Sequence, residues 1–249
     1  RFKCDWSSDV CSSDLLESSI NVSTMKPKAI QEFGAVTTAE LFKAIPGIHA
    51  EATGGEGNAN LSVRGIPITS GGSKFLQLHE DGLPVMQFGD ISFGNADIYL
   101  RSDYSIARIE AIKGGSASTF ASNSPAGIIN FISKTGATEG GSIGTTLGVD
   151  YKSFRTDFDY GSPIGNGVSF HVGGFFRQGE GPRDAGYNGN YGGQIKANLT
   201  KTFKTGYARV YLKYLNDRAI SYMPMPVKGT GTAADPTFES ITGYDALHS

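Results

Sequence analysis

Cysteine is almost absent from this chain: Cys4 and Cys11 are its only two, both before residue 15. Two cysteines with no nearby histidine make a poor zinc site. Long apolar runs are missing too. No stretch approaches the roughly 18 apolar residues of a membrane-spanning helix. Crossing by strands stays open, because a barrel strand needs only about ten residues with every second one apolar. Charge is scarce and balanced, at 18% charged residues, net charge −2 and pI ≈ 6.1. That removes any electrostatic case for nucleic acid. No Ser/His/Asp or paired-carboxylate spacing stands out, so nothing argues for an enzyme or a cofactor. Arg1 opens the chain without the basic, apolar and small-residue succession of a signal peptide.

Glycine is plentiful, 34 of 249 residues, and aromatics make up 11%. Together they suit a β-rich chain with many turns. Residues 1–15, with Ser-Ser-Asp twice and Trp6, share no pattern with the rest of the chain. They read as translated sequencing adapter, a non-native segment set aside from fold reasoning. The cysteine-free remainder suits an oxidising periplasmic or surface setting. Residues 16–38 are polar and irregular, and predict a flexible arm. Residues 39–136 mix short apolar runs, glycine turns and a helix start, and from 141 onward the period becomes two.

That period is the clearest signal. Ile143, Thr145, Leu147, Val149 and Tyr151 share one face, opposite Gly144, Thr146, Gly148 and Asp150. Four more runs repeat the split: Phe154–Tyr160, Val168–Phe176 (where Phe175 breaks the alternation), Gln194–Thr200 and Tyr207–Tyr214. Two structures bury one face of such a sheet. A sandwich sets the apolar face on a second sheet, whereas a membrane barrel sets it on lipid and turns the polar face to the lumen. Aromatics near strand ends (Tyr151, Phe154, Tyr160, Phe176, Tyr207, Tyr214) favour the barrel. So does the alternation of short joints at 161–167 and 201–206 with long ones at 178–190 and after Asn216.

Five landmarks punctuate the middle region. They are Leu41–Ile48 (a helical turn or two stopped by Pro46-Gly47), Leu61-Ser62-Val63-Arg64-Gly65, Asp81-Gly82-Leu83-Pro84, Ile106–Gly115 and Gly127–Thr135. In this order they resemble the plug domain of TonB-dependent receptors, which carries Leu-x-x-x-Pro-Gly-Val, Ile-Arg-Gly, Asp-Gly-x-Pro, Ile-Glu-Arg-Ile-Glu-Val-x-Arg-Gly-Pro and Gly-Val-Ile-Asn-Ile-x-Thr-Lys. The landmarks cover about 95 residues, and the period-two pattern begins where that family's barrel begins. Two departures stand out: Ala107 replaces the usual Glu, and Lys113-Gly114-Gly115 replaces Arg-Gly-Pro. Lysine lacks the planar fork of a guanidinium, which weakens the case for a bidentate wall contact at Lys113.

The resemblance implies an α+β plug domain (39–136) followed by antiparallel transmembrane β-barrel strands (141–249), the start of a plugged barrel of about 22 strands. Five strands cannot close such a barrel, so several hundred further residues are expected. Energised uptake of a scarce ligand such as a ferric siderophore is implied, with TonB and its inner-membrane energising complex, outer-membrane lipid and a small external ligand as partners. Arg64, Glu110 and Lys113 are candidates for plug-to-barrel contact. For Arg64 and Glu110 the alternative, strand-end charges satisfied within the plug, stays open. Glu17-Ser18-Ser19-Ile20-Asn21-Val22 is similar to a TonB box, an extended segment able to add to a partner's sheet edge through its backbone, with Glu17, Ser18, Ile20 and Val22 as its candidate residues. Ligand contacts are expected in two outward loops, at Thr69, Ser73 and Lys74 and at Phe88, Asp90, Phe93 and Asn95.

Other features point nowhere. Gly114-Gly115-Ser116 lacks the Gly-Lys-Ser/Thr end of a phosphate loop and predicts a turn before a short helix. His79, Glu80 and Asp81 are adjacent on a strand, so their side chains diverge. A signalling variant of the receptor would need a further domain before the arm. The reading from another class is a secreted or soluble β-sandwich binding module.

Overall fold

A computed structural model describes residues 22–35, 37–52, 56–57, 59–66, 75–86, 96–114, 117, 121–122, 124–149, 152–181, 186–220 and 227–240. Its strands are β1 (Val22–Met25), β2 (Ile48–Glu51), β3 (Asn60–Val63), β4 (Leu76–Glu80), β5 (Leu83–Pro84), β6 (Ile106–Lys113) and β7 (Gly127–Ser133) in the plug region. They continue with β8 (Gly140–Gly148), β9 (Ser153–Gly165), β10 (Val168–Gly179), β11 (Asn190–Phe203), β12 (Gly206–Arg218), β13 (Val227–Gly229) and β14 (Phe238–Ser240).

The plug is a five-stranded sheet in the order β1-β6-β7-β4-β5, joined by the β2–β3 hairpin and a helix. That helix, Thr38–Lys43, starts where Thr37 and Glu40 form a reciprocal capping box, and it ends before Pro46-Gly47. Its buried Leu41 and Phe42 meet Leu78, Ile109, Ile129 and Phe131 in one apolar core. There Phe42 sets its ring edge-on to Phe131 at 6.0 Å. Residues 22–33, assigned by sequence to a flexible arm, are ordered. β1 pairs antiparallel with β6, Val22 opposite Ile112 and Met25 opposite Ile109. A second helix spans Pro27–Phe33, with proline in its first turn and Gly34 closing it in the left-handed region. Met25 and Ile30 pack against the core, a contact that local polarity could not reveal.

The second sheet is an antiparallel meander of five strands, β8 to β12, each paired with its sequence neighbour. Asn166-Gly167 and Lys204-Thr205 make tight turns at one end of the sheet. Asn166 and Gly167 both take positive φ, 51° and 70°, as a tight hairpin of matching twist demands. Pro163 sits where the β9–β10 register slips, so its missing N–H interrupts no regular pair. Among the described residues no helix is long and apolar enough to cross a membrane, which says nothing of strands.

This wall is inverted relative to a soluble sheet. Ile143, Leu147, Ile195, Leu199, Val210 and Leu212 point away from the plug, and Leu212 is 69% exposed. The buried face carries Asp157, Asp159, His171, Arg177, Gln194, Lys196, Asn198 and Thr200. Phe175 belongs to this inner face, where it lies beneath the Arg155 guanidinium at 4.0 Å. Its geometry keeps the alternation, and only its chemistry departs from it.

Candidate functional site

The inner face of the wall is where the plug is held, and the contacts form a ladder along the strands. Nearest the tight turns, Ser169 Oγ donates to Thr135 O at 2.9 Å and Asn198 Nδ2 to Lys134 O at 2.8 Å. Lys134 Nζ donates to Asp159 Oδ2 at 2.9 Å, an oxygen that also lies 3.2 Å from His171 Nε2. These bonds clamp the chain where it leaves the plug. Gly136 and Gly161 make that crossing possible, since a Cβ on Gly136 would stand 1.8 Å from the Phe170 carbonyl oxygen.

One rung further, Glu80 at the end of β4 meets two wall lysines, Lys196 and Lys213, each at 2.6 Å. Burial pushes the Glu80 carboxyl up, but the two ammoniums outweigh it and hold the group below its ordinary value. Above this, the run 101–105 lies along the wall. Gln194 Nε2 donates to Asp103 Oδ2 and Arg155 Nη2 to Ser102 O, both at 2.5 Å. Tyr104 and Ser105 approach Gly144 and Gly173, whose missing side chains leave room for them.

The top rung is a closed ring of four buried charges. Arg101 Nε donates to Asp217 Oδ2 at 2.7 Å. Arg177 grips the same carboxylate with two bonds, at 2.8 and 2.6 Å, and reaches Glu56 Oε2 at 2.5 Å. Glu56 Oε1 lies 3.6 Å from Arg101 Nε and closes the circuit. Glu56 and Arg101 belong to the plug, Arg177 and Asp217 to the wall. A forked guanidinium on a carboxylate is the most geometrically specific charged pair proteins have.

An apolar-out, polar-in wall wrapped on a separate α+β domain is unlike a sandwich, which would bury its apolar face. Residues 14–128 match the family model described as TonB-dependent Receptor Plug Domain. The chain carries the plug domain of TonB-dependent receptors. It is 26% identical over 237 residues to the vitamin B12 transporter BtuB of Vibrio vulnificus, covering 93% of this chain and 34% of the relative. Among solved structures it is similar to the ferric citrate transporter FecA, with TM-score 0.66 and 19% identity over 90% of this chain and 34% of that one. The pyoverdine outer membrane receptor FpvA of Pseudomonas aeruginosa gives TM-score 0.64 and 18% identity over 80% of this chain and 28% of that one. The chain thus spans about a third of the length of these relatives. The family is one of outer-membrane transporters and receptors, so this receptor belongs to the outer membrane and is not an enzyme.

The three contact candidates of the receptor plug sit differently from the ladder. Glu110 accepts a bond from Arg108 at 2.6 Å. Lys113 Nζ donates to Ser23 Oγ at 2.6 Å and to Pro46 O at 2.8 Å, so it ties β1 to the plug. Burial, and then the charge of Arg64, lower the Lys113 pKa. Arg64 is exposed, at a positive φ of 51° where the chain turns into Gly65. The charged side chains described at the wall are instead Glu56, Glu80, Arg101, Asp103 and Lys134. Of these, only Glu80 and Lys134 lie in segments that local sequence patterns single out. His79 turns inward to Gln77 and Glu80 to the wall, as strand alternation requires, while Asp81, in the turn past β4 at φ 53°, bonds the backbone N–H and hydroxyl of Ser133. Val22 lies in β1, whereas Glu17, Ser18 and Ile20 fall outside the described residues. So do all seven ligand candidates, Thr69, Ser73, Lys74, Phe88, Asp90, Phe93 and Asn95.

Proposed function

We propose that this chain is the plug and first wall segment of a receptor that takes up a scarce external ligand across the outer membrane by TonB-coupled work. The observation that carries it is the inverted wall: apolar side chains face outward while charged ones bind a plug through a ladder of ion pairs. Lipid on one side and a filled aqueous lumen on the other account for both faces at once. The secreted sandwich has no such account, because its apolar face would be the buried one.

In this reading the wall continues to a barrel of about 22 strands. Thr69, Ser73, Lys74, Phe88, Asp90, Phe93 and Asn95 contribute the plug's share of the ligand pocket. Glu17, Ser18, Ile20 and Val22 form the segment that TonB captures by strand addition. Val22 also begins β1, so capture and plug structure compete for that residue. Arg64 and Lys113, two neighbouring cations, meet carboxylates on wall strands beyond the five described. The cargo is small and of a kind worth energised transport, such as a ferric siderophore. The named relatives differ in cargo (vitamin B12, ferric citrate, pyoverdine), which supports the class of activity and selects none of the three.

The test is uptake by the full-length receptor in a host stripped of its own receptors, with labelled cyanocobalamin, ferric citrate and a panel of ferric siderophores as probes. Accumulation of one probe that needs TonB, and that ends when residues 17–22 are deleted while surface binding persists, is the expected result. A full-length product that folds and stays monomeric in plain buffer, with no affinity for bilayers, would sink the reading.

A further inference from the structure

The top rung of the ladder has a property the lower rungs lack: its two plug members come from separate loops that are themselves welded together. Glu56 lies in the connection between β2 and β3, and Arg101 comes just after the 3-10 turn Ala96–Tyr99. Asp97 joins them. Its buried carboxylate accepts the Ala59 N–H at 3.0 Å, and its carbonyl accepts from Arg101 Nη1 at 2.9 Å. Gly57, at φ +82°, lies so close to Ile98 that a Cβ there would stand 3.1 Å from the Ile98 Cα. Neither loop can shift away from the wall without dragging the other.

We infer that the ring Glu56–Arg177–Asp217–Arg101 is an all-or-none catch by which these two plug loops hold the wall, and release it, as one unit. The argument is electrostatic. The four charges are nearly fully buried, with Asp217 at 0% and Arg101 at 3% side-chain exposure, and they alternate in sign around a closed circuit. Removing any one partner leaves opposite charges buried without compensation, which costs far more than a screened surface pair. A half-open ring is therefore the least favourable arrangement, and the catch has two states rather than a continuum. Residues 88–95, proposed to meet the ligand, run in sequence directly into the 3-10 turn that carries Asp97. The inference rests on the plug-in-barrel reading and extends it by saying which contact the plug must surrender first at its outer end.

The experiment is hydrogen exchange on the purified full-length receptor in detergent micelles, comparing wild type with Glu56→Gln, Arg177→Gln and their double variant, which removes one charge of each sign and leaves the Arg101–Asp217 pair neutral. Each single change is expected to raise exchange about tenfold or more in 59–66 and in 96–101 together, with heat-modifiable migration of the barrel retained. The double variant should raise it no further than the larger single effect, since a ring broken once is fully broken. Exchange that rises only beside the substituted residue, or effects that add, would overturn the catch. Should either variant fail to fold, Arg101→Lys keeps the charge, loses the fork, and must still loosen both loops together. Capture by an immobilised TonB periplasmic domain is scored separately. Its failure bears on energised uptake alone and leaves the exchange result intact.

Discussion

Arg177 and Asp217 stand on strands that are not neighbours, yet they bond directly across Gly192. In register, Gly192 of β11 is the partner of Arg177 on β10 and of Asp217 on β12. The inner face at that position is bare, so the guanidinium spans a whole strand to grip the carboxylate at 2.6 and 2.8 Å.

Gly192 also has φ +127°, and a Cβ there would stand 2.1 Å from the Asn216 carbonyl oxygen. Gly192→Val is thus doubly obstructed, by backbone strain and by a blocked bridge. It is expected to destabilise the full-length receptor by about 1–3 kcal/mol. Urea titration followed by loss of heat-modifiable migration measures this, and an unchanged midpoint would contradict it.

Leu212 tests which solvent wets the outer face. It lies mid-strand in β12 and is 69% exposed, on the side away from the plug. Leu212→Arg should cost about 2–4 kcal/mol in a bilayer, the penalty for a cation near the hydrocarbon midplane. Ala208→Arg, at an even-numbered position like Leu212 but near the start of the strand, serves as the milder control. Equal, negligible effects in vesicles would mean that water, not lipid, faces this surface.

Glu80 gives a pH signature with a definite sign. Its folded-state pKa is held below the ordinary value because Lys196 and Lys213 outweigh the effect of burial. Its contribution is therefore fully present above the ordinary glutamate range and is lost as pH falls through the lowered value. Glu80→Gln should flatten the acid limb of receptor stability and weaken plug attachment at neutral pH. Comparing urea midpoints at about pH 7 and about pH 3 checks it.

Asp97 behaves oppositely. Burial raises its pKa to about 6, against the lowering pull of the Ala59 N–H and of Arg101. The folded plug then holds the proton more tightly than the unfolded chain does, so stability from this group is complete below the ordinary aspartate value and declines as pH climbs through about 6. Asp97→Asn keeps an acceptor for Ala59 and should remove that decline. A variant that loses stability between about pH 4 and pH 6 as steeply as wild type would contradict the assignment.

Much of the fold was legible because a sheet with one apolar and one polar face imposes a two-residue period that no distant contact can hide. The five wall strands, their tight turns, the helix stopped before Pro46-Gly47 and the diverging His79 and Glu80 all obey local rules. The arm was misjudged for the converse reason. Val22–Met25 becomes a strand only because the edge of β6 offers it partners, and Ile30 packs only because a core lies beneath it. Phe175 interrupts the apolar alternation in the sequence because its reason for facing inward, Arg155, lies on another strand.

By itself, then, the amino-acid sequence determined the class of molecule: a glycine-rich wall with one apolar and one polar side, preceded by a plug whose turns and landmarks occur in family order. Side-chain alternation and turn chemistry act over a few residues and need no tertiary knowledge. Which charges hold plug to wall was decided only in three dimensions. Glu56 and Arg177 are 121 residues apart, and Arg101 and Asp217 are 116 apart. Such pairs are chosen by how the plug is seated in the wall and by glycines that let strands be bridged, and neither leaves a periodic trace in the chain.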